Sequence, residues 1–127
     1  MIITALLLAA AEGPVLIPNR VPVASFAIDP GKVVTHVEAM RTEFGPGDTM
    51  PEHMHPVPVV CYVAKGTFIY SIGDDPVRTA HVGEATIEPA GAIVHYFRNT
   101  SKTEWGALNC MFLAGPDDKQ LSVMLNK

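Results

Sequence analysis

The chain has 127 residues, 48% of them hydrophobic and only 17% charged, with a formal net charge of −4. That length supports one core with room for an internal pocket, and not two separate cores. The nine Lys and Arg are scattered singly, which excludes nucleic-acid binding through a basic footprint, and two cysteines are too few for a disulfide scaffold.

Residues 2–11 form an apolar run that stops at Glu12, Gly13 and Pro14. Ten residues cannot cross a bilayer as a helix, which needs about 20. The run and its Ala9-Ala10-Ala11 ending fit the apolar region and cleavage site of a secretory signal, although no Lys or Arg precedes them. Residues 1–11 are therefore expected to direct export to the periplasm or the medium. The alternative is a cytoplasmic protein in which they pack as an N-terminal apolar segment. Residues 12–127 are expected to form a single barrel domain with no membrane partner.

From there the chain reads as short strands. Val21–Ile28 and Val33–Phe44 flank Asp29-Pro30-Gly31-Lys32, where Pro fixes φ and Gly supplies positive φ for a turn. Pro46 and Gly47 then break the chain. Val59–Ala64 and Thr67–Ile72 flank Lys65-Gly66, and Gly73-Asp74-Asp75-Pro76 makes the next turn. Val77–Ala80, Glu84–Glu88, His95–Arg98, Leu108–Leu113 and Leu121–Leu125 follow. About ten strands with a turn signal every 8–12 residues or so predict an all-β sandwich or barrel. The low charge suits a thin-walled barrel that hides part of its exterior in a homodimer.

The chain has no nucleophile elbow, phosphate loop or dinucleotide fingerprint. What stands out is histidine. His53 and His55 lie at i and i+2, a spacing that puts both rings on one face of an extended strand. Imidazole is the commonest metal ligand, so this pair is a candidate site. The alternative is two surface histidines on a proline-bent loop. Glu52 has the opposite parity and points away. Glu88, directly before Pro89, either supplies a carboxylate or is solvated. His36 and His81 read as structural or surface histidines. Tyr62, Tyr70 and Tyr96 serve either as hydroxyl donors or as barrel packing. Cys61 shares the parity of Val59 and Val63 and faces inward; whether it pairs with Cys110 depends on a distance the sequence does not supply.

The segment from Gly47 through His53-Met-His55 to Gly66 resembles the first motif of the cupin superfamily, G-x5-H-x-H-x3,4-E-x6-G. Gly83 to Asn99, with Pro89, Gly91 and His95, resembles the second, G-x5-P-x-G-x2-H-x3-N. The wording His-Met-His-Pro-Val-Pro-Val is also similar to small exported bacterial cupins of mostly unassigned function. The resemblance implies a double-stranded β-helix, a jelly-roll barrel with one divalent ion (iron, zinc, manganese, nickel or copper) near its mouth. It also implies a homodimer, and it makes Asn99 a structural turn residue rather than the acceptor of the Asn99-Thr100-Ser101 sequon.

Two departures stand out. The glutamate position of the first motif falls on Val59, which cannot ligate, so the implied ligands are His53, His55 and His95. Three residues instead of two separate Gly91 from His95, so His95 faces the ion only if a bulge absorbs the extra one. Three neutral imidazoles would leave the ion its full charge and favour a small anionic chelating substrate. The expected function is metal-dependent oxygenase, isomerase or lyase chemistry, with Tyr96 and Glu88 as the candidate catalytic groups. The competing readings are a non-catalytic module that binds or senses a small ligand, and a purely structural barrel.

Overall fold

The computed structural model describes residue 13, residues 18–28 and residues 32–125. The proposed leader at 1–11 and the turn at 29–31 lie outside them. The described residues contain no helix and ten strands: β1 (His36–Phe44), β2 (Thr49–Met50), β3 (His53–Met54), β4 (Val59–Lys65), β5 (Phe68–Ile72), β6 (Arg78–Ala80), β7 (Ala85–Glu88), β8 (Ile93–Asn99), β9 (Gly106–Ala114) and β10 (Val123–Met124). They form two antiparallel sheets. One has the order β1-β9-β4-β7; the other runs β10-β3-β8-β5-β6, with β2 also paired to β8. This is the jelly-roll arrangement. No helix among the described residues is long and apolar enough to cross a membrane.

Period-two alternation sorts the faces. In β4, Val59, Cys61 and Val63 are buried and Tyr62 is exposed. Leu108, Cys110, Phe112 and Ala114 of β9 do the same. Opposite them, Phe68, Val94 and Phe97 come from the second sheet, and together these residues make the core. Cys61 and Cys110 are direct register partners across β4 and β9 and are joined in a disulfide, which settles the pairing left open above. Closing a loop of 49 residues stabilises by about 4 kcal/mol in the chain-entropy account.

One expected strand does not form. Val21–Ile28 is irregular and pairs with no strand. Pro22 withholds one ladder donor, and Val21 and Val23 stay well exposed. The short β2 and β3 take part in the second sheet instead, two-residue strands too brief to carry an alternation signal.

Two turns of the pattern Gly-Pro-x-Asp swing the chain from the first sheet to the second. After β1, Gly45-Pro46-Gly47-Asp48 closes with Gly45 N donating to Asp48 Oδ2 at 2.7 Å. After β9, Gly115-Pro116-Asp117-Asp118 closes with Gly115 N donating to Asp118 Oδ2 at 2.6 Å. Proline presets φ at the turn's first corner while the aspartate side chain takes up a free N–H. Asp118 also pairs with Lys32; that hydrogen bond and the one from Gly115 hold its carboxyl below the usual range.

Gly66, at φ 82°, is one of four motif glycines (47, 66, 83 and 91), all with positive φ. A Cβ on Gly66 would also come within 3.1 Å of Gly106 Cα. Asn99 is the other local anchor. It is fully buried, donates to the carbonyls of Gly45 at 2.9 Å and Glu104 at 2.8 Å, and accepts from Ser101 N at 3.1 Å. Asn99→Ala leaves those groups without partners, at about 1–3 kcal/mol for a buried orphan. We expect a loss of roughly 2–4 kcal/mol in denaturant unfolding; a change below about 0.5 kcal/mol, the surface-substitution range, would show that Asn99 holds nothing together.

Candidate metal centre

The site lies between the sheets. His53 is in β3, opposite Val94 of β8, and His55 follows, its carbonyl accepting from Gly91 N at 2.8 Å. Both rings are buried, 5% and 6% exposed, and meet edge to face with centroids 4.8 Å apart. Glu88 comes from the facing sheet, on β7 opposite Val59 of β4, and is 3% exposed. Its Oε2 lies 2.9 Å from His55 Nε2 and 4.0 Å from His53 Nε2. One donor atom from each of the three residues falls within 4.8 Å of the others.

The second ring nitrogens are held from behind. His53 Nδ1 is 2.7 Å from the Pro51 carbonyl, and His55 Nδ1 is 2.8 Å from the Leu121 carbonyl. A carbonyl only accepts, so both Nδ1 atoms carry the hydrogen and donate it. In the neutral rings, Nε2 then presents its lone pair to the cavity. Ser122 Oγ, 3.0 Å from His55 Nδ1, adds to the support. Metal-binding histidines are oriented in this way.

Glu88 Oε2 is buried and has no aligned hydrogen-bond donor. Two neutral rings that present lone pairs leave that charged oxygen uncompensated, which is costly, and a cation removes the cost. Donors on one tetrahedral ion sit about 3.4 Å apart at bond lengths of about 2.0–2.2 Å, and the two Glu88–His distances bracket that value. The residues fit a divalent ion. Without one, burial of His55 acts against its charge, but Glu88 and the Leu121 carbonyl outweigh it and raise the pKa; a proton then does part of a cation's work.

His95 does not join this set. Its side chain is 40% exposed, with Nδ1 3.1 Å from Glu52 Oε2 and Nε2 3.1 Å from the Gly73 carbonyl. The reason is register. With one residue too many after Gly91, Val94 takes the inward position opposite His53. A bulge does form: β8 steps from Tyr96 to Val94 while β5 steps from Ser71 to Ile72. His95 is the residue it leaves over, on the outer face. Tyr96 is also off the site, its ring 5.3 Å from the Arg98 guanidinium. Val59, where the family pattern places a carboxylate, has Glu88 as its register partner on the next strand, so an acid does stand on this wall. The signal available for it was an acid at an inward parity beside Pro89.

The three residues line a cavity of about 240 Å3 whose other walls include Met40, Phe44, Phe97, Leu108 and Phe112. A second cavity of about 260 Å3, beside Tyr70, Asp75, Arg78 and Thr86, contains none of the histidines.

The sequence profile described as Cupin domain matches residues 40–109, more than half of the chain. Comparison with curated proteins returns no match. Among solved structures, an oxalate oxidase is similar with a TM-score of 0.61 and 25% identity, over 70% of this chain and 46% of its own. The DMSP lyase DddQ from Ruegeria pomeroyi DSS-3 is similar with a TM-score of 0.60 and 17% identity, over 70% of this chain and 43% of its own. Oxalate decarboxylase from Bacillus subtilis has a TM-score of 0.60 and 16% identity, over 70% and 28%. This chain therefore spans less than half the length of each, and the last two likenesses are of fold alone. On the profile match and the jelly-roll topology that carries it, the chain belongs to the cupin domain family.

Proposed function

We propose that the protein is a metal-dependent enzyme acting on a small anionic chelating molecule, by oxygenase, isomerase or lyase chemistry. His53, His55 and Glu88 hold one divalent ion. The observation that carries this reading is the buried Glu88 Oε2, 2.9 Å and 4.0 Å from the Nε2 atoms of two imidazoles whose far sides are tied to carbonyls. A two-histidine, one-carboxylate set with open positions is the donor set of non-haem ferrous oxygenases and leaves a divalent ion a net charge of +1. When bound, the ion supplies Lewis acidity or, as ferrous iron, dioxygen activation.

The chain's own contribution is binding and exclusion of water. The cavity is smaller than the roughly 300–1,000 Å3 of drug-sized sites, which supports a substrate of few atoms. Among the described residues no Lys or Arg lines it, so the ion is the counter-charge this wall offers a bound anion. The 26% identity to an oxalate oxidase in complex with the substrate analogue glycolate supports a small carboxylate. The second reading, a non-catalytic binding or sensing module, is favoured by one fact: among the described residues no titratable side chain lines the cavity besides the three proposed ligands and the disulfide-bonded cysteines. No base stands ready there.

We also propose export and a homodimer. The disulfide supports an oxidising compartment. The outer strand β1, exposed along most of its length with Val37 and Met40 in contact with solvent, supports a second copy along that edge. Cell fractionation followed by light scattering should find the protein outside the cytoplasm at twice the chain mass; a cytoplasmic monomer overturns both.

Protein purified without a histidine-rich tag should carry close to one divalent ion per chain, and Glu88→Gln should lower affinity by at least the roughly 10–100-fold typical of a group that supports a metal site. Elemental analysis and metal titration check this, and full loading of His53→Ala/His55→Ala would sink the reading. With the loaded protein, incubation with oxalate, glycolate and related small acids should consume one of them. An acid that raises the melting temperature and is recovered unchanged would decide for the binding module.

A further inference from the structure

Cys61 faces the cavity from the middle of β4, on the same side as Val59. Cys110, its partner in register and in the disulfide, faces the same cavity from β9. Cys61 Sγ is 3.7 Å from Glu88 Oε1, with both residues buried. Its register partner on β7 is Thr86, whose Oγ1 is buried without a hydrogen-bond partner among the described residues. The disulfide is thus set into the wall of the candidate metal centre, next to the Glu88 carboxylate and the buried Thr86 hydroxyl.

A sulfur in a disulfide is a poor donor, whereas a thiolate is a strong ligand for zinc and for soft ions. Donors on one tetrahedral ion, with bonds of about 2.3 Å to sulfur and about 2.1 Å to oxygen, lie about 3.6 Å apart. The observed 3.7 Å between Cys61 Sγ and Glu88 Oε1 sets the sulfur beside the second oxygen of the carboxylate whose Oε2 faces the imidazoles, so a turn of the freed Cys61 side chain, with the strand register kept, is what would bring it to the ion.

We propose that reduction of the Cys61–Cys110 disulfide adds the Cys61 sulfur to His53, His55 and Glu88, converting a three-donor centre into a four-donor centre that selects a tetrahedral, thiolate-accepting ion such as zinc. The inference rests on the metal reading above. In the step, the S–S bond breaks as a dithiol gives up two electrons and two protons and leaves as its own disulfide. Cys110 keeps its proton, and Cys61 releases its proton to solvent when the sulfur binds. An oxidising compartment then holds the open three-donor centre, and a reducing one holds the closed four-donor centre. The same chain would carry different metals in the two.

The test is titration with cobalt(II), whose bond to a thiolate gives a sulfur-to-metal charge-transfer band in the near ultraviolet. Oxidised protein should bind cobalt without the band. Protein reduced with a phosphine, then freed of it, should gain the band and bind roughly 10–100-fold more tightly, the scale on which one supporting group changes a metal site. Cys110→Ser leaves Cys61 free and should show the band with no reductant; Cys61→Ser should never show it. Identical spectra for oxidised and reduced protein, or a folded Cys110→Ser without the band, would overturn the inference and leave the His-His-Glu centre standing. Failure to bind cobalt in either redox state would overturn the metal reading itself.

Discussion

The structure turns on a carboxylate buried between two sheets. Glu88 is 3% exposed in a cavity walled largely by aliphatic and aromatic side chains, where an isolated charge is costly and only close partners offset the cost. Its partners are two imidazoles delivered by the opposite sheet. Each is fixed in one tautomer by a backbone carbonyl that lies outside the cavity, Pro51 for His53 and Leu121 for His55. The second carbonyl belongs to the segment that leads into β10, so the end of the barrel contributes directly to orienting a ring placed 66 residues earlier.

The position of the acid shows how a sheet can move a ligand without changing a fold. Val59 stands where the family pattern places glutamate, and Glu88 is its register partner on β7. Partners in an antiparallel pair share a face, with Cβ atoms about 4.5–5.5 Å apart. A carboxylate on either strand therefore reaches the same volume, and the longer reach of glutamate covers the remaining distance. On the proposed metal reading, the donor set is two histidines and one carboxylate, with a net charge one unit lower than three imidazoles would leave on the ion.

The same register explains the cysteines. Val59, Cys61 and Val63 form one inward row, and β9 lays Cys110 directly against Cys61. The bond ties together the central strands of the sheet that carries Glu88. Rigidity of that wall and its chemistry are thus linked in one pair of residues.

Much of this was legible in the residues alone. Alternation in Val59–Ala64 and Leu108–Leu113, and glycines at 47, 66, 83 and 91, pointed to the strands and turns because side-chain parity and positive φ are local properties. The His53/His55 pair was legible for the same reason: i and i+2 share a face in any strand. Val21–Ile28 looked like a strand because its composition is apolar, but a strand exists only where a neighbour accepts its hydrogen bonds, and none among the described residues does. His95 and Glu88 could be decided only in three dimensions. One bulge between β5 and β8 turned the histidine outward, and one pairing between β4 and β7 brought the glutamate in. Both are facts of inter-strand register, which arises from contacts between segments far apart in the chain.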